Sequence, residues 1–522
     1  MTQTIPSLMR DAAARWPDRP ALVSGEGGFV TFGALNALSI RFACALFADG
    51  MSHGERIGIW ANNSAEWVAA AVGAQRVGGV IVPLNTRLRG GEVADVARRA
   101  GLTRLIAMGD FLGQSYPAML RDHDLGGVRR VIVTGFHAAP LVGIEESWSA
   151  FLMQGEGVSP EALAAREALV RPDTIADIMF TSGTTGAPKG AVFDHRRSIG
   201  GARAWRDITG MTEHDHYCCF GPFSHNASYK AGWVCSLLTG AALYWPEAYD
   251  SRSVLDLIAR RGVTVMPAPP TIWQQVLDDP HRADWNISSL RFLSTGATVV
   301  PIELIRRLAT ETSIANITTG YGMTECCGSA THTRPGDLVE RVSHTVGAAI
   351  PGTEIRIAGP DGRSLEIGET GEVMIRDDKL LIEYLDNPEE TRRVFDQDGW
   401  LHTGDVGRLD SAGYLKISDR LKDMFIVGGF NVYPAEIERQ MSVLSGLSQC
   451  AMIGVPDARL GEVGHVFVVR APGSTLTAEE VLRWSKTNLA GYKVPRGVTF
   501  VDALPLNTTG KVMKPSLRAL LG

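Results

Sequence analysis

The stretch Thr181-Ser182-Gly183-Thr184-Thr185-Gly186-Ala187-Pro188-Lys189-Gly190 decides how the rest of the chain is read. Its glycines let backbone N–H groups turn inward on an anion. The hydroxyls of Thr181, Ser182, Thr184 and Thr185 can donate to phosphate oxygens, and Lys189 adds a point charge. The apolar run 175–180 reads as a buried strand, so the loop follows a strand's carboxyl end, where open α/β sheets hold ligands. A Walker A loop would need Gly-Lys-Ser/Thr opening a helix. Here Lys189 is followed by Gly190 and by Ala191-Val192-Phe193, which reads as a second strand. The bland alternative is a mobile surface turn, and the segments downstream decide against it.

Around the loop, strands at 56–60, 79–84, 263–267, 290–294 and 315–319 alternate with helices such as 65–75, an α/β pattern. Several of these strands end in Gly or Pro and a polar loop, so their tips converge at one sheet edge. Past 350 the pattern shortens into strand-and-turn units such as 372–376, which predicts a β subdomain near 350–418. The strand 413–417 is followed by Ser418-Asp419-Arg420-Leu421-Lys422, a fresh apolar segment and a helix from Pro434. A domain of residues 1–418, a hinge at 419–422 and a C-terminal module over 423–522 follow from that break.

At 522 residues the chain exceeds one core, and roughly two to four domains are expected. Its formal net charge of -6 is spread without a basic stripe, which argues against nucleic acid. Neither a signal peptide nor an uninterrupted apolar span is present, and the last residues carry no targeting address. Its 7 cysteines lack any Cys-x-x-Cys spacing, so reduced thiols in a cytoplasmic protein are expected. A homodimer is compatible with this chain.

Further clusters carry chemistry. In Thr318-Thr319-Gly320-Tyr321-Gly322-Met323-Thr324-Glu325, glycines free the Tyr321 ring to lie against a planar base. Thr324 offers a hydroxyl and Glu325 a hard oxygen suited to Mg2+. Alone, the same residues read as a helix N-terminus after a loop. Asp405, in Gly399–Asp405, is either a turn former or a ribose ligand, and Arg420 either reaches the same sugar or pairs at the surface. Lys511 ends the polar turn 506–511, where a lysine is by default solvated.

In this order the motifs resemble the adenylate-forming superfamily, which includes acyl-CoA synthetases, 4-coumarate–CoA ligases, firefly luciferase and peptide-synthetase adenylation domains. The resemblance covers essentially the whole chain. It implies a large N-terminal domain of stacked α/β sheets with a β subdomain, plus a small mobile α+β C-terminal domain. It implies that Thr181, Ser182, Gly183, Thr184, Thr185, Gly186 and Lys189 hold phosphates. Gly296, Ala297, Thr319, Tyr321, Gly322 and Thr324 would line the nucleotide, Glu325 would bind Mg2+, and Asp405 with Arg420 would clamp ribose. Lys422 takes the hinge position and Lys511 that of the mobile catalytic lysine; Gly428 and Gly429 would admit the arm of CoA. Thr31-Phe32-Gly33-Ala34-Leu35 departs from the usual Thr-Tyr-x-Glu-Leu, which puts only a local packing contact in doubt.

The resemblance therefore implies an ATP-dependent acyl-CoA ligase, with ATP, CoA and Mg2+ as its small molecules; the alternative is a module that loads an acyl-carrier protein. The segment 220–232 takes the place of the acyl-pocket motif, with His225 as gate. No carboxylate lies between Phe220 and Lys230 to meet an α-ammonium, which argues against an amino-acid substrate. Helical spacing would put His225 with Tyr229, and Asn226 with Lys230, on shared faces lining the tunnel together with Gly320. Pairing of Lys230 with a nearby acid is the competing reading. The pattern His225-Asn226 followed by Tyr229-Lys230-Ala231-Gly232 is similar to ligases that activate the indanedione-propionate remnant of steroid rings C and D, although Ser224 departs from an aromatic of that branch. A medium-chain or cyclic acid is expected.

Overall fold

The hairpin that carries the phosphate loop is the seam of the molecule. A computed structural model describes residues 3–25, 28–181, 188–246, 250–296, 300–421, 423–506 and 512–521. The strand Ile175–Thr181 pairs antiparallel with Lys189–Asp194, with Thr181 opposite Lys189. Lys189 and Gly190 therefore belong to a strand, and the loop is a hairpin connection rather than a strand-to-helix turn.

This hairpin lies in an eight-stranded sheet whose strands Arg56–Trp60, Val80–Pro83, Leu102–Met108 and Arg130–Thr134 run parallel. A nine-stranded sheet holds Val265–Pro267, Phe292–Thr295 and Asn316–Tyr321 in parallel register, so the carboxyl ends of these strands open side by side. One hydrophobic cluster takes Ile57, Ile81 and Ile106 from the first sheet and Leu243, Val265 and Phe292 from the second.

The helix Ala65–Arg76 shows why the sheets close up. Ser64 caps it, accepting from Trp67 N at 3.2 Å, and every residue from Trp67 to Arg76 is buried. A helix without a polar face belongs inside. Its one cation, Arg76, is met by Glu167 at 2.7 Å and by Ser39 at 3.2 Å. At Gly73 a Cβ would stand 2.7 Å from the Ser39 carbonyl, so this glycine sets the close approach of the neighbouring helix Phe32–Ala48.

A four-stranded antiparallel sheet, Glu354–Ala358, Gly371–Arg376, Leu401–Leu409 and Leu415–Arg420, forms the predicted β subdomain. Its last strand runs through Arg420, into the segment expected to be hinge. Beyond it the smaller C-terminal domain builds its own core around Phe425, Val432, Ile437, Met452 and Val466. Its long hairpin, Leu447–Asp457 with Gly461–Arg470, carries the helices Pro434–Met441 and Ala478–Asn488. Among the described residues no helix is long and apolar enough to cross a membrane.

Candidate active site

Lys189 leaves the loop mouth as part of an ion pair. Its ammonium meets Glu390 and lies 5.3 Å from the centroid of the Tyr384 ring. Tyr384 is there because the short strand Glu383–Tyr384 pairs with the returning strand of the hairpin, opposite Ala191. Its hydroxyl donates to Glu325 Oε1 at 2.8 Å. Glu390 is placed by the helix Pro388–Val394, whose cap Asn387 accepts from Glu390 N at 3.1 Å. The hydrogen bond from Lys189 holds the Glu390 carboxyl below the usual carboxylate range. Burial, and then the Glu325 charge, push the Tyr384 hydroxyl up, so it stays a donor. An arriving phosphate would compete with Glu390 for the Lys189 cation. Ser182, Gly183, Thr184, Thr185 and Gly186 lie outside the described residues, as does Ala297.

Glu325 is nearly buried, 7% exposed, in the single turn Thr324–Cys326. Among the described residues no group of three His, Cys, Asp or Glu side chains could cage a metal. A lone carboxylate fits Mg2+, which keeps waters and takes phosphate oxygens for the rest of its shell.

The nucleoside side is assembled by strand register. Asp405 stands directly opposite Arg420 on neighbouring antiparallel strands, and its Oδ1 lies 3.2 Å from Arg420 Nε. Tyr321 donates its hydroxyl to Asp405 Oδ2 at 2.6 Å. Burial and the Asp405 charge raise that hydroxyl's pKa. Each carboxylate oxygen has lone pairs to spare, so Asp405 can still accept from a ribose hydroxyl. Gly320 and Gly296 keep the neighbouring strand ends flat: a Cβ on Gly320 would meet His332 Cδ2 at 2.6 Å, and one on Gly296 would meet the Gly320 carbonyl at 3.2 Å. Thr319 is buried, its N–H bonded to Thr333 Oγ1 at 2.9 Å. Gly322 is exposed and Thr324 half-buried.

The acyl side departs from expectation. His225 caps a short turn, Asn226–Ser228, accepting from Ala227 N at 3.3 Å, and the chain then becomes a π-helix over Tyr229–Val234. The i, i+4 turn from His225 to Tyr229 is kept, with Tyr229 N donating to the His225 carbonyl at 2.8 Å, and the wider turn begins only at Tyr229. Tyr229 and Lys230 instead turn into the protein, onto Asp177, at 3.0 and 3.2 Å, and both are 0% exposed. This is the competing reading of Lys230: the acid that pairs with it lies in the strand Ile175–Thr181, before the 181–190 loop. His225 is exposed. Asn226 is 2% exposed and donates to the Thr324 carbonyl at 3.2 Å, tying this segment to the Glu325 turn.

In the C-terminal domain, Gly428 and Gly429 form the two-residue turn between Phe425–Val427 and Phe430–Val432, with φ of 56° and 89°. Two positive φ values are what a type I′ hairpin turn needs, so these glycines have a backbone reason of their own. Asp419 links the domains, accepting from Ala435 N at 2.7 Å, and Arg439 donates to the Ile417 carbonyl at 3.3 Å. Lys422 and Lys511 lie outside the described residues; Leu506 and Val512 form an antiparallel bridge. Tyr384, Glu390 and Asp177 were not singled out from sequence. The lone acid in the apolar run 175–180 was the available signal for Asp177, whereas Asn387-Pro388 read only as a turn.

Residues 9–385 match the model of the AMP-binding enzyme family, and 436–511 match the AMP-binding enzyme C-terminal domain. The chain belongs to this family. It is 42% identical, over 99% of both chains, to a Mycobacterium tuberculosis 3-(7a-methyl-1,5-dioxo-octahydro-1H-inden-4-yl)propanoyl:CoA ligase. It is 43% identical to the Rhodococcus jostii ligase of the same name, over 99% of this chain and 98% of that one. Among solved structures it is similar to ATP-bound MatB from Rhodopseudomonas palustris, with TM-score 0.85, 28% identity and 99% of both chains covered. This family member is an ATP-dependent acyl-CoA ligase with ATP and CoA as substrates.

Proposed function

We propose that the acid this ligase activates is a cyclic, steroid-derived propanoate, and that the enzyme acts in the cytoplasm in the breakdown of sterol-ring remnants. The observation that carries this reading is whole-chain identity of 42–43% to two ligases named for such an acid. The acyl segment agrees with it: between Phe220 and Lys230 it offers His225 and Asn226 but no carboxylate, which suits an uncharged, oxygen-bearing ring system.

Free carboxylates resist thiols because the leaving group would be oxide. Transfer to the α-phosphate of ATP, with loss of pyrophosphate, makes a mixed anhydride whose leaving group is AMP. Both reactants are anionic, so fixed donors and cations where charge develops lower the barrier. In the proposed assignment the 181–190 loop and Lys189 hold the phosphates, and Tyr321, Asp405 and Arg420 hold the nucleoside. Glu325 would hold Mg2+, which supplies charge neutralisation of the phosphates. Lys511 would bridge carboxylate and phosphate in the first step only. Rotation of the domain 423–522 about Lys422 would then withdraw it and bring the Gly428–Gly429 turn beside the entering thiol.

The test is pyrophosphate release over fatty, aryl, alicyclic and steroid-derived acids, followed by product analysis with CoA and with an acyl-carrier protein. Highest kcat/KM for an alicyclic propanoate with CoA is the expected outcome. Preference for a straight-chain acid, or acylation of the carrier protein alone, overturns the assignment.

A further inference from the structure

Asp177 gathers side chains from two segments, the helix His195–Thr209 and the acyl segment. It lies four residues before Thr181, on the strand that enters the phosphate loop. Its Oδ2 accepts from Ser198 at 2.6 Å and from Tyr229 at 3.0 Å, and Lys230 Nζ lies 3.2 Å from Oδ1. The same ammonium donates to Cys327 Sγ at 3.5 Å, two residues past Glu325. It also lies 3.3 Å from the ring centroid of Phe193, on the strand that leaves the loop. Asp177, Ser198, Tyr229 and Lys230 are all 0% exposed.

Stability alone is a weak reason to bury such a pair, since well-packed apolar residues of equal volume usually serve as well. Geometry offers a better one. Consecutive residues of an α-helix diverge by ~100° around the axis, yet Tyr229 and Lys230 both reach one carboxylate. From Tyr229 the backbone runs as the π-helix Tyr229–Val234, kinked at Gly232 by non-helical angles of φ -88° and ψ -109°. The shared carboxylate and the Lys230 contacts to Phe193 and Cys327 thus tie the acyl segment to the loop strands and the Glu325 turn.

We propose that Lys230 and Asp177 are positioning residues for adenylation: their buried pair sets the register of the acyl segment against the phosphate loop, and thereby which acids bring their carboxylate to the α-phosphate. The proposal rests on the ligase reading for its readout. In the full chain, Lys230→Met removes the cation, and Lys230→Met/Asp177→Asn neutralises both partners while keeping an acceptor for Tyr229 and Ser198. Steady-state pyrophosphate release should show KM for the acid raised about tenfold or more in both variants, with KM for ATP changed less than about threefold. The double variant should regain much of the unfolding midpoint lost by the single one. Acid KM and acid ranking equal to wild type in the double variant, with only the active fraction lowered, would overturn the proposal. Should neither variant accumulate as soluble protein, Tyr229→Phe decides: an acid KM raised about two- to fivefold at constant ATP KM supports positioning, and an unmoved acid KM refutes it. Wild-type protein that releases no pyrophosphate with any acid would overturn the ligase reading together with the proposal; an active wild type with unmoved variants overturns the positioning role alone.

Discussion

Asp405 accepts a tyrosine hydroxyl at 2.6 Å and faces an arginine at 3.2 Å; Asp177 accepts a tyrosine hydroxyl at 3.0 Å and faces a lysine at 3.2 Å. The chemistry is nearly the same, but the cations sit differently. Both carboxylates are buried, Asp405 with 8% and Asp177 with 0% of the side chain exposed, yet Arg420 keeps 38% of its side chain exposed whereas Lys230 keeps none. A cation that reaches solvent can trade partners at small cost, which suits the sugar clamp proposed for Asp405 and Arg420. In the interior, losing a partner strands a charge at a cost of several kcal/mol, so the contact is permanent. Exposure of the cation, rather than residue type, separates the proposed ligand clamp from the architectural pair.

The largest effect is expected from a cation that belongs to neither cluster and is proposed to move. Lys511→Ala should lower acyl-adenylate formation by about 10²–10³-fold while sparing thioester formation from supplied acyl-AMP. Equal loss of both half-reactions, in single-turnover assays, would show that Lys511 is as fixed as Lys230.

Asp419 supplies an intermediate case: it is buried, with backbone donors instead of a close cation. Burial pushes its carboxyl from the ordinary 3.8 up to about 6, against the pull of Lys514 and the N–H groups of Ala435 and Arg420. A raised folded value means that the folded form binds the proton more tightly. Its contribution is complete below about pH 4 and is lost as pH rises through about 6, amounting to about 3 kcal/mol at most. The wild-type unfolding midpoint should therefore fall relative to that of Asp419→Asn between pH 4 and 6. Parallel midpoints would mean that Asp419 is no better desolvated than a surface acid.

Asp405→Ala should raise KM for ATP about 10–30-fold with little change in unfolding midpoint. A lowered midpoint with an unmoved ATP KM would make Asp405 a second Asp177 and erase the contrast. Smallest of all, Tyr321→Phe should raise KM for ATP about two- to fivefold and leave acid KM alone, since it removes one hydroxyl bond beside a carboxylate that keeps its arginine.

Much of this molecule was legible in its residues. The apolar runs 175–180 and 191–193 announced the two hairpin strands, which pair as expected, with Lys189 opposite Thr181. Asp405 and Arg420 were matched to one sugar, and register does set them face to face. In the acyl segment the helical turn from His225 to Tyr229 forms as its spacing suggests, but Tyr229 and Lys230 meet Asp177, a partner the local pattern does not name. Glu390 escaped notice because its role depends on a strand pairing that brings 383–390 beside Lys189.

Local patterning by itself determined the strands, the helices, the glycine turns and the chemical kinds of group proposed to hold phosphate and sugar, because these depend on near neighbours and on side-chain type. Tertiary structure alone decided which of two alike tyrosine–carboxylate–cation clusters keeps its cation near water, that Lys189 rests on Glu390, and that Lys230 faces Asp177. Those outcomes depend on desolvation and on partners 53 to 201 positions apart, which sequence spacing does not encode.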